Sequence, residues 1–513
     1  MNYKKLGKIF GKIMVLESLL MLAPLLVSFL YREDTAHKLA FFIPMCILCL
    51  LGFLLQLPKP HREVLYQKEG FALTGLVWIV MGLFGALPFV ISGDVPNYVD
   101  ACFEIISGFT TTGASIIENL SVISHSVLLW RSLSHWIGGM GILVFVLIFI
   151  PESKDGSSMH LLRAESPGPQ VGKIASKMKV TTRILYLIYL CLTVLEVVLL
   201  MLDEPIPGYE SEQFFFSLLT AFGSAGTGGF GFLPGSMELY SPFSQYVIAI
   251  FLLLFGINFS LYYLLLIGKL RSVFQSGELH FYLCMVAASV TAIFASLLWR
   301  MSSFPQTYTT EEAFRHSLFQ VASIVTTTGY STTDFNLWPM PALTTLMILM
   351  FIGGMAGSTA GGIKISRIII ALKGMLITLR RLINPRYVPK EKLEGKTLEE
   401  KTINGVFAFL SMYLFLLVGV MALLSLDPSN GQEILISSDA GVYTVKHGFF
   451  TNFSAALSCL SNIGPGFEAI GPYGSFSLFS PFSKILLTLT MIVGRLEILP
   501  VLILFSPKTW RRV

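Results

Sequence analysis

Apolar runs of about twenty residues recur along this chain, and nothing constrains its fold more strongly. They lie near 10–30, 38–57, 72–92, 126–150, 181–202, 243–268, 277–299, 403–425 and 483–506, with a broken run at 337–373. A helix needs roughly 20 residues to cross a hydrocarbon core of about 30 Å, whereas a barrel strand needs about 10. Runs of the longer kind, with no long polar domain between them, specify an all-α integral membrane protein of ten crossings. Composition agrees: hydrophobic residues make up 54% and charged residues 13% of the 513, and mean hydropathy is +0.70. That leaves too few charges to cover a soluble surface of this size. The first run has no small-residue cleavage site after it and reads as a retained helix rather than a signal peptide.

Lysine and arginine set the orientation. They cluster at the start (Lys4, Lys5, Lys8, Lys12), in the 59–70 loop (Lys59, Arg62, Lys68), in the 151–183 and 373–402 loops, at Lys269 and Arg271, and in the tail (Lys508, Arg511, Arg512). The positive-inside rule places these segments, and therefore both termini, in the cytoplasm. The net charge of +5 has this origin, since no basic domain with interleaved aromatics points to nucleic acid. Cys46 and Cys49 share an apolar helix without acidic or histidine partners, so packing explains them better than a metal or redox site. No nucleophile, metal triad or phosphate loop stands out, which excludes an enzyme.

The outward connections carry the second constraint. Four of them contain a short apolar segment that ends in small polar residues and glycine: FEIISGFTTTGAS (Phe103–Ser115), FSLLTAFGSAGTGGFG (Phe216–Gly231), FQVASIVTTTGYSTT (Phe319–Thr333) and FSAALSCLSNIGPGF (Phe453–Phe467). Segments of this length are too short to cross but suit a re-entrant half-helix. After two leading helices the chain therefore repeats helix, half-helix, glycine turn and helix four times around a central pore. Polar backbone at membrane depth is tolerated only where it lines a water-filled cavity or is buried in protein. The turns carry no charge, so they can coordinate a dehydrated ion only through carbonyl and hydroxyl oxygens, which suit a monovalent alkali cation.

These turns, together with WIGGMGI (Trp136–Ile142), AESPGP (Ala164–Pro169), GGMAGSTAGGIK (Gly353–Lys364), SNIGPG (Ser461–Gly466) and GRLEILP (Gly494–Pro500), resemble the landmarks of the Trk/Ktr/HKT superfamily of potassium transporters, most closely the TrkH-type membrane subunit. The resemblance implies two leading helices (1–70) and four M1-P-M2 repeats, at 71–155, 156–272, 273–402 and 403–513. It implies potassium uptake across the bacterial cytoplasmic membrane by a homodimer with one pore per subunit. This chain would bind no cofactor itself; NAD(H) or ATP/ADP would sit on a cytosolic TrkA-type partner.

In that family one glycine per repeat follows the ion-coordinating carbonyls, and serine at the first accompanies sodium selectivity in some plant members. Here the matching positions are Gly113, Gly229, Gly329 and Gly464. Thr111 and Thr112, Thr227 and Gly228, Thr327 and Thr328, and Asn462 and Ile463 supply the coordinating backbone. The second repeat departs most, because GTGG puts glycine where the others carry a larger residue, and this leaves its register open to a shift of one residue.

Charges at membrane depth need partners to be tolerated. Glu104, in the first half-helix, is expected to anchor the filter backbone, the alternative being attraction of cations. Asp334 and Glu468 either face an outer vestibule or are solvated loop charges. Arg131 and His135 share a helix face and read as packing between repeats. Arg495 is expected below the filters as an electrostatic barrier or a support for the gate, the alternative being a structural ion pair with Glu497. The gate itself is read at Gly353, Gly354, Gly357, Ser358, Thr359, Gly361, Gly362 and Lys364, whose glycines interrupt the third inner helix and make movement inexpensive. The charged loops 151–180 and 373–402 are candidate docking surfaces for the partner. A proton- or sodium-coupled symporter is the alternative function, although no chain of acidic or histidine residues crosses the membrane as a relay would.

Overall fold

Among the described residues six helices are long and apolar enough to cross a membrane: Tyr3–Leu30, Thr35–Gln56, Glu69–Ser92, Val180–Met201, Gly277–Trp299 and Glu400–Leu424. The structure, a computed structural model, describes residues 2–58, 67–141, 178–233, 235–299, 308–387, 391–393, 396–438 and 441–496, with Ile498, Val501 and Leu504.

Two leading spans, α1 (Tyr3–Leu20) with α2 (Leu22–Leu30) and then α3 (Thr35–Gln56), precede four similar units. The first unit has α4 (Gln67–Gly85) and α5 (Leu87–Ser92) as its outer span, a short helix α6 (Tyr98–Phe109) and an inner helix α7 (His125–Gly139). The second has α8 (Met178–Met201), the short α9 (Gln213–Gly226), and α10 (Pro242–Phe255) with α11 (Phe259–Leu266), followed by α12 (Leu270–Phe274). The third has α13 (Gly277–Trp299), the short α14 (Thr310–Val325), α15 (Met340–Phe351) and α16 (Ile365–Ile383), then a small hairpin, β1 (Lys392–Leu393) and β2 (Lys396–Thr397). The fourth has α17 (Glu400–Leu424), the antiparallel hairpin β3 (Glu433–Ser438) and β4 (Gly441–Lys446), the short α18 (Phe449–Ser461) and the inner α19 (Pro481–Arg495).

The inner helices depart from the expected ten uninterrupted or once-broken crossings. The run at 243–268, expected as one helix, bends by 91° between α10 and α11. Likewise α7 stops at Gly139 and α19 at Arg495, short of the expected ends at 150 and 506. Only the interruption after Phe351 coincides with the break expected there. At three of these stops, after Gly139, Phe255 and Phe351, backbone groups are taken by a neighbouring element instead of the next helical turn. The Gly138 and Gly139 carbonyls accept from Arg495, Gly256 O accepts from Met355 N at 3.0 Å and Gly354 O from Ile365 N at 3.2 Å. Non-helical backbone survives at membrane depth because protein donors replace water.

Packing closes the units into a ring. Each short helix lies between its own inner helix and that of the preceding unit: α9 between α10 and α7, α14 between α15 and α10, α18 between α19 and α15. The cycle closes on α6, which packs on α7 and on α19 from the far end of the chain.

On the opposite side from the breaks, a carboxylate at the end of an outer span ties down the start of the inner helix in three units. Asp94 accepts from Ser124 Oγ at 2.7 Å, Asp203 from Ser241 and Ser244, and Asp427 from Ser480 N at 3.0 Å and Ser480 Oγ at 2.6 Å. Ser241 and Ser480 are themselves N-caps, each accepting from the backbone three residues on. Burial pushes the Asp203 carboxyl up, but the serine hydrogen bonds outweigh it and hold the group below its ordinary range.

Candidate functional site

The four short helices end in one and the same way. Thr111, Thr227, Thr327 and Asn462 all take left-handed backbone, with φ of 54°, 53°, 56° and 56°. The next residue turns back to the helix: Thr112 N donates to Ser107 O, Gly228 N to Gly223 O, Thr328 N to Ser323 O and Ile463 N to Ser458 O, at 2.8 to 3.0 Å. This is the Schellman C-cap, normally built on glycine. Two residues after each left-handed residue stands a glycine, Gly113, Gly229, Gly329 or Gly464, with φ of 78°, 72°, 90° and 105°. The signature is identical in the second unit, so Thr227-Gly228-Gly229 aligns with Thr111-Thr112-Gly113 without a shift.

The four turns meet. A side chain placed on Gly113 would run into Gly228 O, one on Gly229 into Thr328 O, one on Gly329 into Ile463 O, and one on Gly464 would come within 2.8 Å of Thr112 O. The carbonyls of the four residues preceding the glycines thus form a closed ring, each against the glycine of the unit before it. The ring is narrow: the position a Gly113 Cβ would take lies 3.4 Å from Thr328 O of the unit two steps round. Glycine is required here by positive φ and by the close approach together. Threonine hydroxyls brace the turns from behind, Thr110 Oγ1 to Thr112 Oγ1 at 2.7 Å and Thr326 Oγ1 to Thr328 Oγ1 at 2.9 Å. Asn462 Nδ2 joins the fourth turn to the first through Thr112 Oγ1 at 2.9 Å. The ring therefore offers neutral oxygens, and the C-terminal ends of four helices point toward it with their partial negative charge.

The glycine-rich segment between α15 and α16 lies directly against this ring. Gly361 N donates to Thr327 Oγ1 at 2.6 Å, and a Cβ on Gly361 would sit 2.6 Å from Ser461 O. Gly353 N bonds Ile363 O at 2.9 Å, which folds the segment back on itself, and Gly357 O accepts from Phe259 N at 3.0 Å. Thr359 Oγ1 reaches Phe255 O at 3.2 Å, Ser358 Oγ reaches Met355 O, and Lys364 Nζ bonds Ala360 O. Gly353, Gly354, Thr359 and Gly361 are buried and Gly357 is exposed. Arg495 holds three units together here. It donates to Thr111 Oγ1 at 3.0 Å, to Thr359 O at 3.1 Å and to the Gly138 and Gly139 carbonyls at 2.5 and 2.8 Å. Glu497 lies outside the described residues, as do the 151–177 part of the first cytoplasmic loop and residues 388–390 and 394–395 of the second.

The acids singled out in the sequence, Glu104, Asp334 and Glu468, find partners, whereas Glu17 and Glu196 are buried with no hydrogen-bond partner on either carboxylate oxygen among the described residues. Glu104, fully buried, accepts from Ile116 N and Ser115 Oγ at 2.9 Å and pairs with Arg131 at 2.7 Å, so it fastens the strand that leaves the first turn. Arg131 also donates to Gly231 O of the second unit at 3.1 Å. Asp334 is not a solvated loop charge: it is fully buried, accepting from Asn336 N at 3.1 Å and from Tyr443 Oη at 2.5 Å. Glu468 is half-buried, and it accepts from Thr451 Oγ1 at 2.8 Å while its backbone N donates to Asn336 Oδ1 at 3.0 Å. Both tie the third unit to the fourth. Glu278 escaped the sequence reading altogether. This buried carboxylate accepts from Ala356 N at 2.8 Å and Ser366 N at 3.2 Å, gripping both ends of the glycine-rich segment.

Comparison with known proteins bears on this geometry. The family model of TrkH, a cation transport protein, matches residues 37–512. The Trk system potassium uptake protein TrkH of Salmonella typhimurium is 32% identical over 519 residues, covering all of both chains. That of Halomonas elongata is 33% identical over 522 residues, again covering all of both, and the potassium uptake protein TrkG of Escherichia coli is 29% identical over 98% of this chain and 97% of its own. The crystal structure of the potassium transporter TrkH from Vibrio parahaemolyticus superposes with a TM-score of 0.83 at 30% identity over the whole of both chains. A four-unit ring around glycine turns, a family match over nearly the whole length and full-length relatives above 30% identity together place this chain in the TrkH family of cation transport proteins.

Proposed function

We propose that the chain takes up potassium through the ring formed by the turns at 111–113, 227–229, 327–329 and 462–464. The observation that carries this reading is the ring of four backbone carbonyls, Thr112, Gly228, Thr328 and Ile463, each facing a glycine of the adjacent unit. Neutral carbonyls can replace the hydration shell of a monovalent cation without trapping it by charge. The relatives described as potassium uptake proteins and the potassium transporter of known structure support potassium as that ion. An ion leaving the ring meets the segment Gly353–Lys364 and the Arg495 guanidinium. These act as the gate: Gly353, Gly354, Gly357, Gly361 and Gly362 let the segment move, and Ser358, Thr359, Lys364 and Arg495 hold it.

The pore works in the bacterial cytoplasmic membrane, as a homodimer, with both termini in the cytoplasm. A TrkA-type subunit carrying NAD(H) or ATP/ADP docks on the 151–180 and 373–402 loops and controls the gate. Flux into proteoliposomes with potassium, rubidium or sodium, with and without a pH gradient, tests the reading. Uptake of potassium and rubidium in preference to sodium, independent of any co-ion, is expected. Obligatory dependence on protons or sodium would replace the channel-like pore with a symporter.

A further inference from the structure

The second turn lacks the side chains that brace the first and the third. In the first and third units the residues on either side of the left-handed position are threonines, Thr110 with Thr112 and Thr326 with Thr328, joined hydroxyl to hydroxyl behind the carbonyl ring. The second unit has glycine at both places, Gly226 and Gly228, so a carbonyl of the ring would have empty space behind it.

That space is filled from another unit. The imidazole of His135, on the first unit's inner helix, stands where the missing side chain would be: a Cβ on Gly228 would overlap His135 Cγ, Nδ1 and Cδ2, and one on Gly226 would overlap the His135 backbone. The residue is fully buried, and its ring stacks on Phe230, just beyond the turn, with centroids 4.2 Å apart. Neither ring nitrogen has a hydrogen-bond partner among the described residues. A buried polar ring left without partners is expensive, so its place here is explained by shape. We infer that His135 is a selectivity-positioning residue, a side chain lent to the second turn that fixes the Gly228 carbonyl in the ion-coordinating ring. This rests on the reading of the four turns as an ion filter.

Four variants and a control separate the possibilities, each measured as the rubidium-to-sodium flux ratio in proteoliposomes after gel filtration has shown an intact particle. H135A opens a void behind Gly228 and is expected to lower the ratio at least about fivefold while flux persists, since small misfits of a pocket cost about ten- to a hundredfold in discrimination. G228T alone collides with the imidazole and is expected to lose flux. The double variant H135A/G228T puts a threonine before the filter glycine, as in the first and third units, into the space the imidazole leaves, and is expected to recover both flux and ratio, whereas two independently harmful changes would add. H135F, an aromatic ring without polar atoms, keeps the ratio within about twofold of the parent. The control, Gly113→Ser, perturbs the first turn directly. If it lowers the ratio while H135A does not, or if the double variant is no better than its parents, the role of His135 is overturned and the filter stands. If Gly113→Ser itself leaves the ratio unchanged, the filter reading fails and this inference with it.

Discussion

Thr111, Thr227, Thr327 and Asn462 hold left-handed backbone without being glycine, at a cost of about 1 kcal/mol each. The expense is shared by all four units because the geometry it produces, a carbonyl turned inward ahead of a glycine, is what the ring is made of. Gly113→Ala adds a Cβ both to a φ of 78° and against Gly228 O. It should lower potassium flux more than tenfold, read as rubidium uptake, and a variant with parental flux would remove Gly113 from the ring. A different strain governs Glu104 and Arg131, which are 0% and 2% exposed. Removing one partner of a buried pair leaves the other uncompensated, and typically loses about 3–5 kcal/mol. R131M should therefore destabilise strongly, seen as a fall in the thermal transition of the detergent-solubilised protein. E104Q/R131M should recover part of that loss, and a double variant no better than R131M would mean that charge is not the reason the pair exists.

The glycine-rich segment behaves as an element clamped at both ends rather than a free linker. Glu278 satisfies Ala356 N and Ser366 N at once, so E278A should release the segment and raise basal potassium flux several-fold in the absence of a regulatory subunit, with the potassium-to-sodium ratio unchanged; flux equal to the parent would make Glu278 merely structural. The aspartate ties lie at the ends of the inner helices opposite the breaks, and their hydrogen bonds to serine link stability to acid. Burial pushes the Asp427 carboxyl up, but hydrogen bonds from Ser429 and Ser480 outweigh it and hold the group well below the usual carboxylate range. Because the folded carboxyl titrates below its unfolded value of about 3.9, its stabilisation is complete above that pH and is lost as pH falls through the folded value. D427N should cost about 1–2 kcal/mol at neutral pH and erase that part of the acid sensitivity, measured by thermal unfolding across pH. Much of this architecture was legible in the chain: run length separates full spans from half-helices, and a cluster of glycines marks the third break. The breaks at Gly139, Phe255 and Arg495 were not, because one or two glycines in a long apolar run do not mark where the helix will stop. Glu278 looks like an ordinary acid in a helix's first turn, and the burial of Asp334 depends on Tyr443, 109 residues away. The outer ties had a signal that was missed, the SPFS motif repeated at Ser241–Ser244 and Ser480–Ser483.

The ring is closed by its most distant parts. Lys484 pairs with Asp100 at 2.8 Å, Phe476 N donates to Ser115 O at 3.0 Å and Asn462 bonds Thr112, all joining the fourth unit to the first across more than 340 residues. Arg495 adds the last link and is alone among these in also hydrogen-bonding to the third unit, through Thr359 O. Its planar fork meets a hydroxyl and three carbonyls on two units, an arrangement that a lysine's point charge cannot span. One side chain therefore joins the ring at Thr111, the stopped helix at Gly139 and the glycine-rich segment, so that movement of the segment must release the guanidinium. R495A is expected to raise basal potassium flux about tenfold without the regulatory subunit and to blunt the response when that subunit is added. R495K should fall between the two, and the potassium-to-sodium ratio should shift less than in the Gly113 variant because the carbonyl ring itself is intact. Patch recording or rubidium flux, with and without the regulatory partner, reads all three quantities. Parental basal flux and an undiminished partner response in R495A would mean that the glycine-rich segment moves independently of the ring, and the coupling of the three units through Arg495 would have to be abandoned.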